Sequence, residues 1–256
     1  MSALDRFRLD GRIALVTGAS SGLGEHFAAV LADAGARVAL AARRVDKLRP
    51  LAGRIAAAGG QARVLALDVT DAASVRACLD DLASWGAPDI LVNNAGVTIT
   101  RPLLEQTEED FDQVLDTNLK GAWLVATETA RRMVAAGRGG SIVNVASILG
   151  ERVAGGVAPY AISKSAVIQA SKAMALELAR HRIRVNALLP GYIVTDLNRE
   201  FLQSEAGDKL RQRIPSRRFG ELADLDGPLL LLASEAGAAM TGTTVAVDSG
   251  HLVSSL

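Results

Sequence analysis

The chain has 256 residues, of which 49% are hydrophobic, and its 28 basic and 28 acidic residues leave a formal net charge of zero. This composition excludes an intrinsically disordered chain, and the balanced charge predicts no general attraction to nucleic acid or to an anionic membrane. A single cysteine and three scattered histidines predict neither a disulfide nor a metal site, and without a signal-peptide pattern or a long apolar run we expect a cytoplasmic protein.

Short apolar runs typical of buried strands alternate with longer helical patterns along the chain. In chain order we predict a strand at 12–18, a helix at 22–34, a strand at 37–42, a helix at 45–58, a strand at 63–67, a helix at 71–85, a strand at 89–92, a helix at 107–136 that is broken near 118–121, a strand at 141–146, a helix at 160–180, a strand at 184–188, a helix at 222–233 and a strand at 243–247.

This alternation is typical of a parallel sheet with helices on both faces. The strands are apolar at consecutive positions, as strands buried on both sides are. We therefore predict the α/β class, with a doubly wound, Rossmann-type parallel sheet of about seven strands that forms a single domain over residues 1–256. The arginine-rich segment 192–219 is long and weakly patterned, and we interpret it as a substrate lid or loop.

The first predicted strand runs into a glycine-rich loop. Gly18, Gly22 and Gly24 have the spacing G-x-x-x-G-x-G, which differs from the common dinucleotide fingerprint G-x-G-x-x-G. Such a loop lets the backbone approach a pyrophosphate at the amino terminus of a helix. The alternative is a tight strand-to-helix turn with glycines that serve packing alone.

The end of the second predicted strand is where an NAD-binding protein usually carries an acidic residue for the ribose. Here Ala42 is followed by Arg43 and Arg44, and arginine would pair with a 2′-phosphate that an acid would repel. The sequence therefore favours NADP(H), with NAD(H) as the alternative cofactor. The alternative is that the two arginines are solvated loop residues that bind no ligand.

Tyr160 and Lys164 are four residues apart and lie on one face of the predicted helix. A phenol has an ordinary pKa of about 10, and a nearby ammonium would lower that pKa toward the range of efficient acid/base catalysis. Ser147 follows the fifth predicted strand, at the sheet edge where parallel sheets bind ligands. Its hydroxyl could donate to a substrate oxygen that the tyrosine protonates.

These motifs, in this order and spacing, resemble the short-chain dehydrogenase/reductase family, most closely its β-ketoacyl carrier-protein reductase branch. The resemblance covers nearly the whole chain and rests on TGASSGLG at 17–24, NNAG at 93–96, Asn118, Ser147, YAISK at 160–164 and PG at 190–191. It implies an oxidoreductase that moves a hydride between NADP(H) and a carbonyl/alcohol substrate, with reduction of a 3-oxoacyl thioester as one candidate reaction. The alternative is a catalytically idle NADP(H)-binding regulatory protein.

The resemblance also implies roles for four residues. Tyr160 would be the general acid in reduction and the general base in oxidation, and Lys164 would lower its pKa and bind the cofactor ribose. Ser147 would orient the substrate carbonyl. Asn118 would hold the water that links Lys164 to solvent, although it could instead be a polar bracket in a kinked helix.

Cofactor contacts follow from the same resemblance. Asp68 and Val69 would contact adenine, unless Asp68 is a helix cap, and Thr195 would bond the nicotinamide carboxamide. Ser21 departs from the basic residue that many NADP-using relatives carry before the second glycine. The full predicted set is Gly18, Ser20, Ser21, Gly22, Leu23, Gly24, Arg43, Arg44, Asp68, Val69, Asn94, Ala95, Gly96, Tyr160, Lys164, Pro190, Gly191, Ile193 and Thr195.

Two surfaces are candidates for partners. The predicted helices at 107–136 and 160–180 carry more apolar residues than one sheet-facing stripe needs, which predicts a homotetramer or a homodimer; these residues are Trp123, Leu124, Val125, Met133, Val167, Ile168, Met174 and Leu178. A basic patch for an acidic acyl carrier protein, or simply a solvated charged rim, could form from Arg131, Arg132, Arg138, Arg180 and Arg182.

Overall fold

The computed structural model describes residues 2–195 and 198–254, and at its centre lies a seven-stranded sheet. The strands stand in the order β3-β2-β1-β4-β5-β6-β7, and every neighbouring pair is parallel. They are β1 (Ile13–Thr17), β2 (Arg37–Ala42), β3 (Gln61–Ala66), β4 (Ile90–Asn93), β5 (Gly140–Val145), β6 (Ile183–Pro190) and β7 (Thr244–Val247).

Helices connect the strands and cover both faces of the sheet. They are α1 (Gly22–Asp33), α2 (Val45–Ala57), α3 (Ala72–Ala83), α4 (Glu108–Leu115), α5 (Ala122–Ala136), α6 (Ala158–Leu178), α7 (Arg199–Leu202), α8 (Glu205–Arg211) and α9 (Asp226–Ala233). The predicted Rossmann-type α/β fold is confirmed. In the described ranges, no helix is both long enough and apolar enough to cross a bilayer.

The sheet is covered on both sides, and its central strands consist largely of buried apolar residues. All five residues of β1 are buried, and successive side chains point to opposite faces. Val16 packs in one core layer with Phe27 of α1, while Leu15 packs in the other with Met133 of α5. This two-layer burial explains why the strands read as continuous hydrophobic runs.

The strand order places a topological switch point between β1 and β4. From β1 the chain winds outward through β2 to β3, then crosses back to β4 on the other side of β1. The connections that leave β1 and β4 therefore diverge and open a crevice at the carboxyl ends of the strands. The glycine-rich loop follows β1, so the fold itself brings that loop to the crevice.

The structure confirms one predicted helix break and changes other predicted elements. The predicted break near 118–121 is confirmed as a π-helical turn over Asp116–Gly121 between α4 and α5. Helix α6 begins at Ala158 with a proline in its first turn, so Tyr160 lies inside that turn rather than opening the helix. The segment 192–219 contains the short helices α7 and α8, which the sequence pattern did not predict.

Candidate active site

A cleft of about 930 Å³ opens at the carboxyl ends of the strands. Of the predicted site residues, all but Gly24 and Asn118 line it, and these two lie directly behind its wall. Segments from distant parts of the sequence therefore meet at one place. The roles of the individual residues stay predictions.

The glycine loop has a shape that only glycine adopts readily. Gly18 and Gly22 have φ angles of +66° and +56°, in the left-handed region. A Cβ on Gly24 would lie 2.3 Å from the Gly18 carbonyl oxygen, so packing also requires a glycine there. A Cβ on Gly22 would instead face the cleft, with the Thr195 methyl 4.0 Å away as its nearest neighbour.

Hydrogen bonds tie the loop to the end of β4. The Thr17 hydroxyl accepts from the backbone amides of Asn94 and Ala95 at 2.9 and 3.0 Å. The Asn94 side chain donates to the Thr17 carbonyl at 3.0 Å. These bonds fix the space between the loop and the NNAG segment, where helix α1 begins and its free amide groups can bind a phosphate.

The two arginines after β2 differ in their contacts. The Arg44 guanidinium donates to the Ser20 hydroxyl at 3.3 Å and so contacts the glycine loop. Arg43 is exposed at the rim of the cleft, and no hydrogen bond or ion pair holds its side chain within the described part of the chain. Its cationic group is therefore available to a phosphate.

The structure distinguishes the two aspartates that follow β3. Asp71 caps α3 by accepting from the Ala73 amide at 2.8 Å, so the helix-cap alternative for Asp68 is wrong. The Asp68 carboxylate accepts from the Thr70 amide and hydroxyl at 3.0 and 2.7 Å and faces the cleft. These bonds to Thr70, helped by the charge of Arg43, lower the pKa of Asp68.

Lys164 and Tyr160 lie together on α6 inside the cleft. The Lys164 ammonium is buried, donates to the Val145 carbonyl at 2.8 Å and lies 5.6 Å from the centre of the Tyr160 ring. Burial lowers the pKa of Lys164 to about 8. Burial therefore makes this lysine a weaker base than an exposed lysine.

The expected lowering of the Tyr160 pKa by Lys164 is not what the structure shows. Burial raises the pKa of Tyr160, a hydrogen bond with Ser147 lowers it, and the nearby Tyr192 phenol raises it again, so the net shift is upward. The physical reason is that the depth of the cleft disfavours the phenolate more than the hydrogen bond favours it. Burial of this kind favours the neutral phenol, which is the form that can donate a proton.

Asn118 lies behind this pair in the π-helical turn. Its side-chain amide donates to the Val97 carbonyl at 2.8 Å and to the Ser163 hydroxyl at 3.0 Å, and its oxygen accepts from the Val97 amide at 2.8 Å. The side chain is thus the polar bracket that the sequence left as an alternative. A role in carrying protons to Lys164 stays a prediction.

The other wall of the cleft follows β6. A Cβ on Gly191 would lie 2.8 Å from the Asp248 Cα, so the close approach of these two segments requires glycine. Thr195 faces the glycine loop, and its amide donates to the Asn198 side chain at 2.8 Å. This places the Thr195 side chain opposite the site predicted for the pyrophosphate.

Comparison with known proteins decides the family. A family model described as enoyl-(acyl carrier protein) reductase matches residues 18–251. The D-threitol dehydrogenase of Mycolicibacterium smegmatis is 38% identical over 248 residues, which cover 96% of this chain and 95% of the relative. A 3-oxoacyl-(acyl-carrier-protein) reductase of Thermotoga maritima is 36% identical over 247 residues, which cover 96% of this chain and 100% of the relative.

A solved structure agrees with these sequences. A gluconate 5-dehydrogenase from Burkholderia cenocepacia, crystallised with NADP and tartrate, matches with a TM-score of 0.95 at 40% identity over 99% of this chain and 100% of that chain. The chain belongs to the short-chain dehydrogenase/reductase family. It is an NAD(P)-dependent oxidoreductase, and the idle regulatory alternative is not favoured.

This short-chain dehydrogenase/reductase also has cleft residues that the sequence patterns did not predict. They include Thr98, Leu149, Val157, Tyr192, Asn198 and Phe201. Tyr192 could have been predicted from its place directly after the PG motif, because the glycine of that motif is itself a predicted cleft residue. Among the described residues, no cluster of three or more histidine, cysteine, aspartate or glutamate side chains could hold a metal ion.

Proposed function

We propose that this chain transfers a hydride between NADP(H) and a small carbonyl/alcohol pair, with Tyr160 as the general acid/base. The observation that carries the proposal is the convergence of Ser147, Tyr160 and Lys164 in the cleft that the glycine loop also lines. In reduction, Tyr160 would give its proton to the carbonyl oxygen while the Ser147 hydroxyl holds that oxygen in place. Lys164 would then help to restore the proton.

The residues at the cleft fit a dinucleotide. The Gly22 position leaves room beside the amino terminus of α1, which supports a pyrophosphate there. Arg43 and Arg44 would pair with a 2′-phosphate, and Asp68 and Val69 would lie beside adenine. The cofactor supplies the hydride itself, and the protein supplies the position and the proton.

NADP(H) is proposed over NAD(H) because the residues at the ribose edge of the cleft are positively charged. Arg43 and Arg44 both line the cleft, and no acidic residue follows Ala42 at the carboxyl end of β2. The gluconate 5-dehydrogenase that resembles this chain was crystallised with NADP. Both observations support a phosphate at this end of the cleft.

The substrate is proposed to be a polyol or a sugar acid rather than a carrier-bound acyl thioester. Relatives named for threitol and gluconate support the former, and the 3-oxoacyl reductase supports the latter. The arginines suggested for carrier docking are engaged within the chain, since Arg132 pairs with Asp80 at 2.7 Å and Arg131 with Glu128 at 2.9 Å. These ion pairs favour the interpretation of the arginines as a solvated charged rim.

The segment 192–219 is proposed to act as a lid of a single-domain enzyme. Asn198 and Phe201, beside and within α7, line the cleft, and the Phe201 side chain is half exposed. Residues 196–197 of this predicted insert lie outside the described residues. A cytoplasmic location stays a prediction.

A homotetramer is proposed, with a homodimer as the alternative, but on a corrected set of residues. Most of the side chains predicted to be in excess, including Val125, Met133, Val167, Ile168 and Met174, belong to the chain's own core. Large apolar side chains remain exposed on α4, α5 and α6; they are Phe111, Trp123, Val134, Ile162 and Leu176, at 43%, 49%, 39%, 52% and 82%. Edge strand β7 is a candidate for the second contact.

Light scattering coupled to size exclusion is expected to give a mass near four times 26.7 kDa, or twice that mass for the dimer. Trp123→Asp should lower the mass because it places a charge on the apolar face. Arg49→Asp, on the exposed side of α2, is the matched control and should leave the assembly intact. A mass near 26.7 kDa for the parent protein at micromolar concentration would contradict the proposal.

The activity is tested with a small panel of ketones and NADPH, followed by the loss of nicotinamide absorbance. Erythrulose and 5-oxogluconate represent the polyol and sugar-acid classes, and ethyl acetoacetate represents the 3-oxoacyl class. We expect turnover with at least one of them and a lower KM for NADPH than for NADH. Binding of NADPH without turnover of any ketone would restore the idle-binder alternative.

A further inference from the structure

Tyr192 occupies a fixed position in the wall of the cleft. It follows Gly191 directly at the end of β6 and lines the same cleft as Tyr160 and Ser147. Its carbonyl accepts from the Gly220 amide at 2.9 Å, and the next residue forms a parallel bridge with Gly220. The backbone at Tyr192 is therefore held by a segment that lies almost thirty residues further along the chain.

Two other rings hold the Tyr192 ring. The centre of the Phe219 ring lies 6.4 Å away, and that of the buried His251 imidazole lies 5.8 Å away. His251 is held in turn by Arg152, which donates to the His251 carbonyl and, at 2.6 Å, to the Ser254 hydroxyl. The orientation of the Tyr192 ring is thus fixed by aromatic neighbours and by the C-terminal turn.

Within residues 2–195 and 198–254 the Tyr192 hydroxyl forms no hydrogen bond, so no described group competes with a ligand for it. Burial raises the pKa of Tyr192, and the charge of Arg213 lowers it by less, so the phenol stays protonated and can donate. Tyr160, the proposed acid/base group, lines the same cleft, so both phenols border one ligand-binding space.

We propose that Tyr192 is a specificity-determining residue whose hydroxyl bonds a hydroxyl or carboxylate group next to the reacting carbon of the substrate. A donor fixed beside the acid/base can be satisfied only by a substrate with a polar group at that place. The cleft therefore favours polyhydroxylated ketones and their alcohols over ketones without such a group. This inference rests on the proposed function and assigns its substrate class.

The test compares Tyr192→Phe with the parent enzyme on erythrulose and on ethyl acetoacetate, a ketone without free hydroxyl groups. Loss of one hydrogen bond is expected to raise the KM for erythrulose by about tenfold while kcat changes by less than about threefold. The ratio of kcat/KM between the two ketones should fall by about the same factor. Tyr160→Phe provides the contrast, because it should lower kcat for both ketones alike.

A structural role would give a different pattern. It would lower the thermal midpoint and raise the KM for NADPH, with no change in the ratio between the two ketones. An unchanged KM for erythrulose, an unchanged ratio, or parent enzyme that reduces only ethyl acetoacetate would overturn the inference and leave the proposed function standing. If the parent enzyme reduces no ketone, the proposed function itself is contradicted, and the inference with it.

Discussion

Turnover is expected to fall by about 10²–10⁴-fold in Tyr160→Phe, the usual contribution of a positioned acid or base. The substitution keeps the ring that packs beside Lys164 and removes only the proton that reaches the carbonyl oxygen. Affinity for NADPH should be largely retained, because the glycine loop and the arginines at the ribose edge are untouched. Steady-state kcat with a ketone and a separate titration of NADPH measure the two effects.

The chain's only other tyrosine supplies the control for this experiment. Tyr192→Phe removes the same atom from the same cleft, and its effect should lie in the KM for the substrate rather than in kcat. Turnover of Tyr160→Phe within about threefold of the parent would show that another group moves the proton.

Affinity for NADPH is expected to fall by about 10–100-fold in Arg43→Asp, the range for loss of a charge-assisted hydrogen bond. The new carboxylate would also repel the 2′-phosphate and could accept from the ribose hydroxyls of NADH. The preference should therefore shift toward NADH. Titration of both cofactors, followed by nicotinamide fluorescence, measures this shift directly.

Arg49→Asp is the matched control, since it makes the same change of charge on the exposed side of α2, away from the cleft. It should leave the ratio of the two affinities close to that of the parent. If the parent protein already binds NADH more tightly than NADPH, the assignment of Arg43 to a phosphate is wrong.

The sheet and the first half of the site follow from local sequence patterns. Strands such as β1 have four consecutive apolar residues, and Gly18 and Gly22 mark the turn that follows because few other residues adopt its positive φ angles. The spacing of Tyr160 and Lys164 places them on one helical face whatever surrounds them. These features need only neighbouring residues, and the sequence alone predicted them.

Features that depend on distant contacts could not be predicted in this way. The direction of the Tyr160 pKa shift depends on burial in the assembled cleft, and the position of Tyr192 depends on Gly220 and His251. Apolar periodicity likewise shows that Val167 and Met174 face something apolar, but not whether that is the chain's own core or a partner. The structure places both in the core.

The most direct test of the central claim follows the hydride itself. NADPH carrying deuterium at the nicotinamide C4, prepared separately for each face, is incubated with the ketone of the panel that is reduced fastest, and the alcohol is analysed by mass spectrometry. We expect one of the two preparations to give an alcohol with a single deuterium on the former carbonyl carbon. An alcohol without deuterium from either preparation, or NADPH that binds but is consumed by no ketone, would contradict the account.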